Sequence, residues 1–239
     1  MRLAVISDVH GNSFALEAVL ADIRAEGADA IVNLGDHLAS PIDPRATADM
    51  LLALPMPTIR GNHDRWMVTP RSGKPDPIDS FARGQIDAEH LQWLAGLPAT
   101  LVFEGILLCH GTPASDEKFW LEGFIHARTT TIPDEAAVSA HAAGADYPVI
   151  LCGHSHIARA VRLRDGRQIV NPGSVGLQIV YGSPDARYVI LDRRNGKWSP
   201  SFRVVAYDHA AAARAAEAHG FGHWTEALTT GWADPDGLF

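Results

Sequence analysis

Short apolar runs alternate with segments of helical periodicity along the first sixty residues. Residues 3–6 and 30–32 are runs of Leu, Ala, Val and Ile that predict buried strands, and the pair 58–59 predicts a third. Between them, residues 13–25 and 44–54 carry apolar side chains three or four positions apart, which is the spacing of an amphipathic helix. The chain therefore begins with a predicted βαβαβ arrangement.

The pattern of apolar and polar residues changes further along the chain. Two more helices are predicted around residues 78–95 and 134–143. Beyond residue 149, short alternating segments separated by turns such as Asp165-Gly166 predict strands. These segments are residues 158–164, 168–170, 175–181, 187–192 and 201–206. A parallel-leaning sheet followed by an antiparallel one predicts two sheets packed face to face, with helices outside.

The last thirty residues have a different character. Residues 208–219 are rich in Ala and predict a helix, and residues 221–224 lead into a short helix that ends at Gly231. No internal repeat or low-complexity linker divides the chain, and 239 residues suit one domain. We predict a single domain over residues 1–239 with a helical C-terminal appendage at about 207–239, which could form a homodimer contact.

Composition and charge narrow the class of protein. The 20 basic residues are outnumbered by 28 acidic residues, so no broad basic face is available to bind duplex nucleic acid. No apolar run approaches the length of a membrane span, and the N-terminus enters its first strand without a signal-peptide pattern. The chain has only two cysteines, Cys109 and Cys152, which favours a reducing compartment. A cytoplasmic protein without a membrane partner is expected.

Five short blocks of polar residues carry the candidate chemistry, and each follows a short apolar run. The blocks are Asp8-Val9-His10, Gly35-Asp36, Gly61-Asn62-His63-Asp64, Cys109-His110-Gly111 and Gly153-His154-Ser155-His156. Their polar side chains are therefore expected where strands end. Carboxylate, amide and imidazole donors together suit a pair of divalent ions such as Mn, Fe, Zn or Ni better than a structural zinc site.

Each block taken alone has an ordinary structural explanation. Asp8 could be a turn residue that closes the first strand, and Asn62 could tolerate left-handed backbone after Gly61. A single histidine such as His110 beside an apolar strand is more often structural than a metal ligand. The weight of the interpretation comes from five blocks in one order, each at the end of an apolar run.

The blocks in this order resemble those of the calcineurin-like metallophosphoesterase superfamily, whose pattern is D-x-H, G-D, G-N-H-[DE], H and G-H-x-H. The resemblance runs from residue 1 to about Asp192. Asn171-Pro172-Gly173-Ser174 matches a further block of the small bacterial branch, which is often labelled diadenosine-tetraphosphatase-like. The resemblance implies an α/β (α+β) fold, namely a four-layer αββα sandwich in which two mixed β-sheets lie face to face between helices.

The resemblance also implies a reaction, with Mn as the favoured metal. The protein would be a two-metal-dependent phosphoesterase in which a metal-bridging hydroxide attacks a small phosphodiester, phosphomonoester or nucleotide. Asp36 would bridge the ions, with Asp8, His10 and His156 completing one site and Asn62, His110 and His154 the other. His63 would stay unliganded, so that it could donate a proton to the leaving oxygen or stabilise charge there. The expected catalytic residues are His63, Asp36 and Asn62.

One departure from the superfamily concerns the partner of His63. The protein Ser/Thr phosphatase branch has G-D-x-x-D-R-G, whose second Asp orients the catalytic His and whose Arg grips phosphate. Ala39 and Ser40 stand at those positions here. Asp64 or His37 could substitute as the partner, and the sequence leaves this open. Many proteins of the small bacterial branch have Cys or Val in place of His63, so its presence favours a catalytically complete site.

The substrate is the least constrained part of the interpretation. Residues 65–74 are expected to form a locally basic, Pro- and Gly-punctuated loop with Arg71 and Lys74, and Phe119-Trp120 could lie on the opposite rim. Cations and an aromatic surface would suit a nucleotide-type phosphodiester or a dinucleoside polyphosphate. The alternative is that the aromatic side chains belong to the core and the charges are merely solvated.

Two other functions remain open. The same fold serves as a non-catalytic binding or scaffold protein in the retromer subunit that resembles this superfamily. A metal centre would also permit hydrolysis of a non-phosphate ester or amide. Loss of metal ligands would favour the scaffold, whereas every ligand position is filled in this chain.

Overall fold

The fold is described from a computed structural model. The structure describes residues 1–72, 76–125, 129–179 and 181–232. Within these residues the strands are β1 (Arg2–Ile6), β2 (Ala30–Asn33), β3 (Thr100–Phe103), β4 (Ile106–Cys109), β5 (Gly123–Ile125), β6 (Thr129–Thr131), β7 (Val149–Leu151), β8 (Arg159–Arg162), β9 (Gln168–Asn171), β10 (Ala186–Arg194) and β11 (Lys197–Val205).

The helices are α1 (Ser13–Glu26), α2 (Pro44–Leu52), α3 (Asn62–Val68), α4 (Pro77–Gln85), α5 (Ala88–Gly96), α6 (Glu135–His141), α7 (His209–Ala218) and α8 (Thr225–Thr230), with a 3-10 turn at Gly222–Trp224. Local sequence sets several of these boundaries. The side chain of Asn12 accepts from the Ala15 amide to begin α1, and Gly27, with a φ of 66°, ends it.

Two mixed β-sheets form the centre of the molecule, as predicted. One has the order β11-β10-β1-β2 and the other β3-β4-β7-β9-β8. In the first sheet β1 is parallel to β2 and antiparallel to β10. In the second, β4, β7 and β9 are parallel, and β3 and β8 are antiparallel neighbours. The parallel-then-antiparallel division predicted from the pattern is therefore wrong, because late strands return to pair with early ones.

Side-chain alternation along the strands separates four layers. The core between the sheets includes Leu3 and Val5 of β1, Ile106 and Leu108 of β4, and Val189 and Leu191 of β10. Ala4 and Ile6 face the other way and pack in the helical core that includes α1. Leu107 and Cys109 pack with Val138 of α6 on the far side of the second sheet. This period of two confirms the αββα sandwich.

The third strand predicted at residues 58–59 is only an isolated bridge between Thr58 and Asn33, and two further predicted elements are wrong. The single helix over residues 78–95 is two helices, because Asp87 caps a new helix by accepting from the amides of Glu89 and His90. The described part of residues 175–181 is a loop rather than a strand. Its apolar residues Val175 and Leu177 are buried in the core although they lie in irregular backbone.

The C-terminal helices pack on the helical layer. Ala212 and Ala216 of α7, with Trp224, belong to the same core cluster as Leu16 of α1. The predicted homodimer contact of this segment stays a prediction. Among the described residues, none of the helices has the length and apolar character that crossing a bilayer requires.

Candidate metal centre

The predicted ligands lie where strands of the two sheets end. Asp8 and His10 follow β1, and Asp36 follows β2. His110 directly follows β4, and the block that begins at Gly153 follows β7. Because β1 is parallel to β2 and β4 is parallel to β7, each pair of loops leaves its sheet at the same edge.

Six predicted ligands converge as two groups. One group is Asp8, His10 and His156, and the other is Asp36, His110 and His154; within each group the ligand atoms lie within 4.8 Å of one another. Asp36 Oδ2 is 3.1 Å from His110 Nε2 and 3.9 Å from His10 Nε2. This carboxylate therefore faces both groups, as a bridging ligand would.

Asn62, the seventh predicted ligand, begins α3 beside Asp36. The backbone amide of the next residue, His63, donates to Asp36 Oδ1 at 2.9 Å. Asn62 Oδ1 is buried and has no hydrogen-bond partner among the described residues, which an oxygen destined for a metal ion would explain. A Cβ at Gly61 would lie 2.1 Å from Asp36 Oδ1, so only glycine allows this approach.

Backbone carbonyls orient all four ligand histidines. The Nδ1 atoms of His10, His110 and His156 lie 2.8, 2.8 and 2.7 Å from the carbonyl oxygens of Ala39, Leu34 and Leu177, and Nε2 of His154 lies 3.0 Å from that of Glu117. A carbonyl only accepts, so these nitrogens carry the proton. In the neutral ring the opposite nitrogen then has a lone pair for a metal ion.

Lone pairs converge in the first group. Burial lowers the pKa of His10 and of His156 to about 4, so both rings are neutral near pH 7. Their Nε2 atoms lie 3.1 Å apart, and Asp8 Oδ1 is 3.4 Å from His156 Nε2. Three acceptors this close repel one another unless a cation lies among them.

The second group also calls for positive charge. Burial opposes protonation of His110, but Asp36 and Asp8 outweigh it and raise the pKa of His110 to about 10. Burial lowers the pKa of His154 to about 3. The buried pair of carboxylates thus draws a proton onto the nearest imidazole when no metal is present. Charge, donor type and orientation therefore all fit a pair of divalent ions.

Five ligands have left-handed backbone, which is uncommon outside glycine. They are Asp8, His10, Asp36, His154 and His156, with φ of 52°, 44°, 56°, 67° and 59°. Each such residue costs about 1–3 kcal/mol and persists only where its surroundings fix it. Here the loops bind one another: the amide of Asp8 donates to Gly35 O at 2.9 Å, and that of His10 donates to Asp36 O at 3.0 Å.

The Asn171-Pro172-Gly173-Ser174 block supports the first ligand loop. Ser174 Oγ donates to the carbonyl of Asp8 at 2.7 Å, and the amide of Gly176 donates to the same oxygen at 3.0 Å. A Cβ at Gly176 would lie 1.8 Å from Val9 O. The sequence pattern marked this block, but its supporting role appears only in the tertiary structure.

His63 lies beside the two groups and is held by an unpredicted partner. Its Nδ1 is 2.7 Å from Oδ1 of Asp79, which lies in the first turn of α4. Its ring makes edge contacts with His10 at 5.5 Å and with Trp66 at 4.9 Å between centroids. Burial opposes the charged form, but Asp36 and Asp79 raise the pKa of His63.

The substitutes proposed for this partner, Asp64 and His37, have other roles. Asp64 accepts from the backbone amides of Gly61, Asp36 and His37 at 2.8, 2.8 and 2.9 Å, and so joins two ligand loops. His37 is fully buried, with Nδ1 2.7 Å from Asp64 Oδ2. The expectation that either residue orients His63 is therefore wrong.

The candidate substrate residues divide between rim and core. Phe119 is 41% exposed and stacks on His154 at 4.5 Å, whereas Trp120 is buried and donates from Nε1 to Val138 O. Trp120 is therefore a core residue and not part of the rim. The Arg71 guanidinium lies 3.8 Å from the centre of the Trp66 ring.

The structure of residues 65–68, which follow the third block, also differs from the prediction. Residues 65–68 belong to α3 rather than to a loop. Within that helix, Arg65 forms a bidentate pair with Asp116 at 2.8 and 2.9 Å, so its charge is already matched. Lys74 lies outside the described residues.

Comparisons with known proteins agree with this geometry. Residues 1–196 match the profile of the calcineurin-like phosphoesterase superfamily domain. An uncharacterised protein of Methanocaldococcus jannaschii is 28% identical over 225 residues, which cover 82% of this chain and 84% of that protein.

Solved structures also match. The structure of a metallophosphoesterase from Sphaerobacter thermophilus has a TM-score of 0.78 and 27% identity, covering 97% of this chain and 99% of its own. A protein described as a candidate diadenosine tetraphosphatase shares the fold, with a TM-score of 0.53 and 16% identity over 87% of this chain and 94% of its own.

Proposed function

We propose, from the premise that the chain belongs to the calcineurin-like phosphoesterase superfamily, that it hydrolyses a small phosphate ester with two divalent ions. The matching family is described as phosphoesterases, and the Sphaerobacter relative is described as a metallophosphoesterase. The pairing of two ions and the small substrate are the proposal. The observation that supports it most is that Asp36 faces both ligand groups.

The proposed ligand assignment follows the two groups. Asp8, His10 and His156 would hold one ion, and His110, His154 and Asn62 the other, with Asp36 shared. When bound, the ions would neutralise the phosphoryl oxygens and supply a nucleophile at neutral pH. Manganese is the favoured metal, and Fe, Zn or Ni would also suit these donors.

His63 is the proposed acid of the reaction. Among the described histidines of the site, His63 is the one whose ring is held by a carboxylate side chain. The four predicted ligand histidines contact backbone carbonyls instead. With Nδ1–H donated to Asp79, the proton on Nε2 of the imidazolium is the one available to a leaving oxygen. Proton transfer there avoids release of a basic alkoxide.

The proposed substrate class is a nucleotide-type phosphodiester or a dinucleoside polyphosphate. Arg71 brings a positive charge to Trp66, whose ring contacts His63, and so to the side where the leaving group would depart. Phe119 offers an exposed aromatic surface beside His154. A base could stack there while the guanidinium binds a further phosphate.

The test is a substrate panel with metal-reconstituted protein. Metal-free protein would be loaded with Mn, Fe, Zn or Ni and assayed on nucleotide diesters, nitrophenyl mono- and diesters, and carboxylic esters. We expect hydrolysis of phosphodiesters that requires metal. Selective hydrolysis of carboxylic esters would favour the non-phosphate hydrolase instead, and metal binding without any turnover would favour the scaffold.

A further inference from the structure

The strongest unassigned feature of the site is the contact between α4 and His63. Asp79 Oδ1 lies 2.7 Å from His63 Nδ1, and both side chains are largely buried, each about 10% exposed. A carboxylate buried at this distance from an imidazole fixes which ring nitrogen carries the proton and the plane in which the ring lies.

The other candidates for holding this ring are already engaged. Asp64 binds three backbone amides, and the carbonyl of Ala39 contacts Nδ1 of His10. His37 lies against Trp93, with ring centroids 5.0 Å apart. The segment that follows Gly35-Asp36 therefore provides no acid for His63.

Helix α4 is built so that Asp79 has little freedom. The Asp76 side chain caps the helix by accepting from the amides of Ile78 and Asp79, and Pro77 occupies the first helical position. Ile78 packs in the helical core. Arg83, one turn further along, donates to the carbonyl of Met67 and so ties α4 to α3, the helix that carries His63.

We propose that Asp79 is the positioning residue for His63: it binds Nδ1–H and directs Nε2 toward the leaving group. This inference rests on the proposed function and adds to it a residue from a separate helix, α4. It also assigns the region around α4 to the leaving-group side of the site. A small cavity there is lined by Trp66, Arg71, Asp79 and Arg83, among others.

The kinetic test is a double-mutant cycle of Asp79→Asn with His63→Ala. Turnover would be measured on methyl phenyl phosphate and methyl p-nitrophenyl phosphate, which differ in the basicity of the leaving group. We expect Asp79→Asn to lower kcat about 10–100-fold on the phenyl ester, with a smaller loss on the nitrophenyl ester and little change in KM. In the His63→Ala background the same change should have no further effect on kcat.

The matched control is Asp87→Asn, which changes an exposed acid that caps the neighbouring helix, α5, and keeps a residue that caps helices well. It should leave kcat on both esters unaltered. An equal loss from Asp79→Asn with and without His63 would overturn the proposal, because Asp79 would then act on something other than His63. Wild-type kcat in Asp79→Asn on both esters would overturn it as well.

A second readout does not depend on activity. Nitrogen-15 and proton NMR of the zinc-loaded protein should show a far-downfield Nδ1 proton of His63, as expected for a short bond to a carboxylate. The signal should be lost in Asp79→Asn and retained in Asp87→Asn. Its absence from the wild type would contradict the contact. If the wild type hydrolyses no phosphate ester of the substrate panel with any metal, the proposed function fails, while this signal still decides whether Asp79 holds the ring.

Discussion

The metal-ligand loops and the His63 side meet at one site but are held in different ways. The loops are joined by backbone hydrogen bonds, such as those from the amide of Asp8 to Gly35 O and from the amide of Gly153 to His110 O. His63 instead depends on side chains of α3 and α4, namely Asp79 and Trp66. Hydrogen bonds of the loop backbone, some of them to Asp64 and Ser174, therefore hold one region, whereas contacts between side chains orient the His63 ring in the other.

This difference separates two tasks. In the proposed reaction the positions of the two ions must be held closely. Left-handed backbone persists only where its neighbours fix it, so the ligand loops are suited to this task. The His63 side can change by substitution of single side chains without disturbing the sheets. We therefore expect changes on the His63 side to alter turnover and substrate preference, whereas changes among the ligands should remove activity altogether.

The largest effect is expected at Asp36. Asp36→Asn removes the charge that faces both ligand groups, so we expect hydrolysis of every phosphate ester to fall below detection. Steady-state assays with saturating metal would measure this. The control Asp87→Asn alters an exposed helix-capping acid and should keep full activity. Activity in Asp36→Asn within ten-fold of wild type would contradict the shared role of this carboxylate.

The next effect is expected at His63. His63→Ala should lower kcat about 10²–10⁴-fold on methyl phenyl phosphate, because a basic leaving group needs its proton. The loss should be smaller on methyl p-nitrophenyl phosphate, and metal content should be unchanged. Equal losses on the two esters would point to charge stabilisation by His63, and no loss on either would remove it from the mechanism.

Metal removal should lower the Tm of the protein, and the size of this loss should distinguish a variant of the ligand loops from a variant of the His63 side. Each ion that binds only the folded chain contributes about 2.7 kcal/mol when present at 100 times its Kd, or roughly 5–10 °C in Tm per ion for a chain of this size. Differential scanning calorimetry of metal-free and Mn-loaded protein would measure the shift. His63→Ala should retain it, and Asp36→Asn should lose most of it. A wild-type Tm that is the same with and without metal would contradict the proposed metal centre.

The smallest effect is expected at the substrate rim. Arg71→Ala should raise KM for a nucleotide substrate about 2–5-fold, the scale of one exposed cation contact, and leave turnover of a bare nitrophenyl ester unchanged. Arg45→Ala, which removes an exposed arginine paired with Asp87, serves as the control. Unaltered KM for every nucleotide tested would remove the support that Arg71 gives to the nucleotide preference.

The convergence of six predicted ligand residues could be predicted from the sequence for a physical reason. Each of these six lies within a few residues of the end of an apolar strand, so local order along the chain already carries the spatial pattern. The apolar run over residues 3–6 predicted a buried strand, but it could not show which face enters the core between the sheets, because Leu3 and Ala4 are both apolar. The contacts of the Ala39 and Leu177 carbonyls with the histidine rings could not be predicted from the sequence, because every residue type supplies a backbone oxygen.

The His63 side was predicted poorly because its contacts are tertiary. Asp79 looks like an ordinary acid in the first turn of a helix, and nothing local joins it to a histidine sixteen residues earlier. The break between α4 and α5 was missed because apolar periodicity runs through it, while the capping side chain of Asp87 decides the outcome. Val175 and Leu177 indicated a strand because they are apolar, whereas the described part of their segment is a loop whose backbone makes single hydrogen bonds, such as that from the Val175 amide to Ser7 O.

The most direct test of the central claim is the number of divalent ions bound by each chain. Metal-free protein would be reconstituted with Mn, dialysed to remove loosely bound ions and analysed by elemental mass spectrometry, with Asp36→Asn treated in parallel. The account predicts two ions per wild-type chain and fewer than two in the inactive variant. One ion or none in the active wild-type protein would contradict a two-metal phosphoesterase.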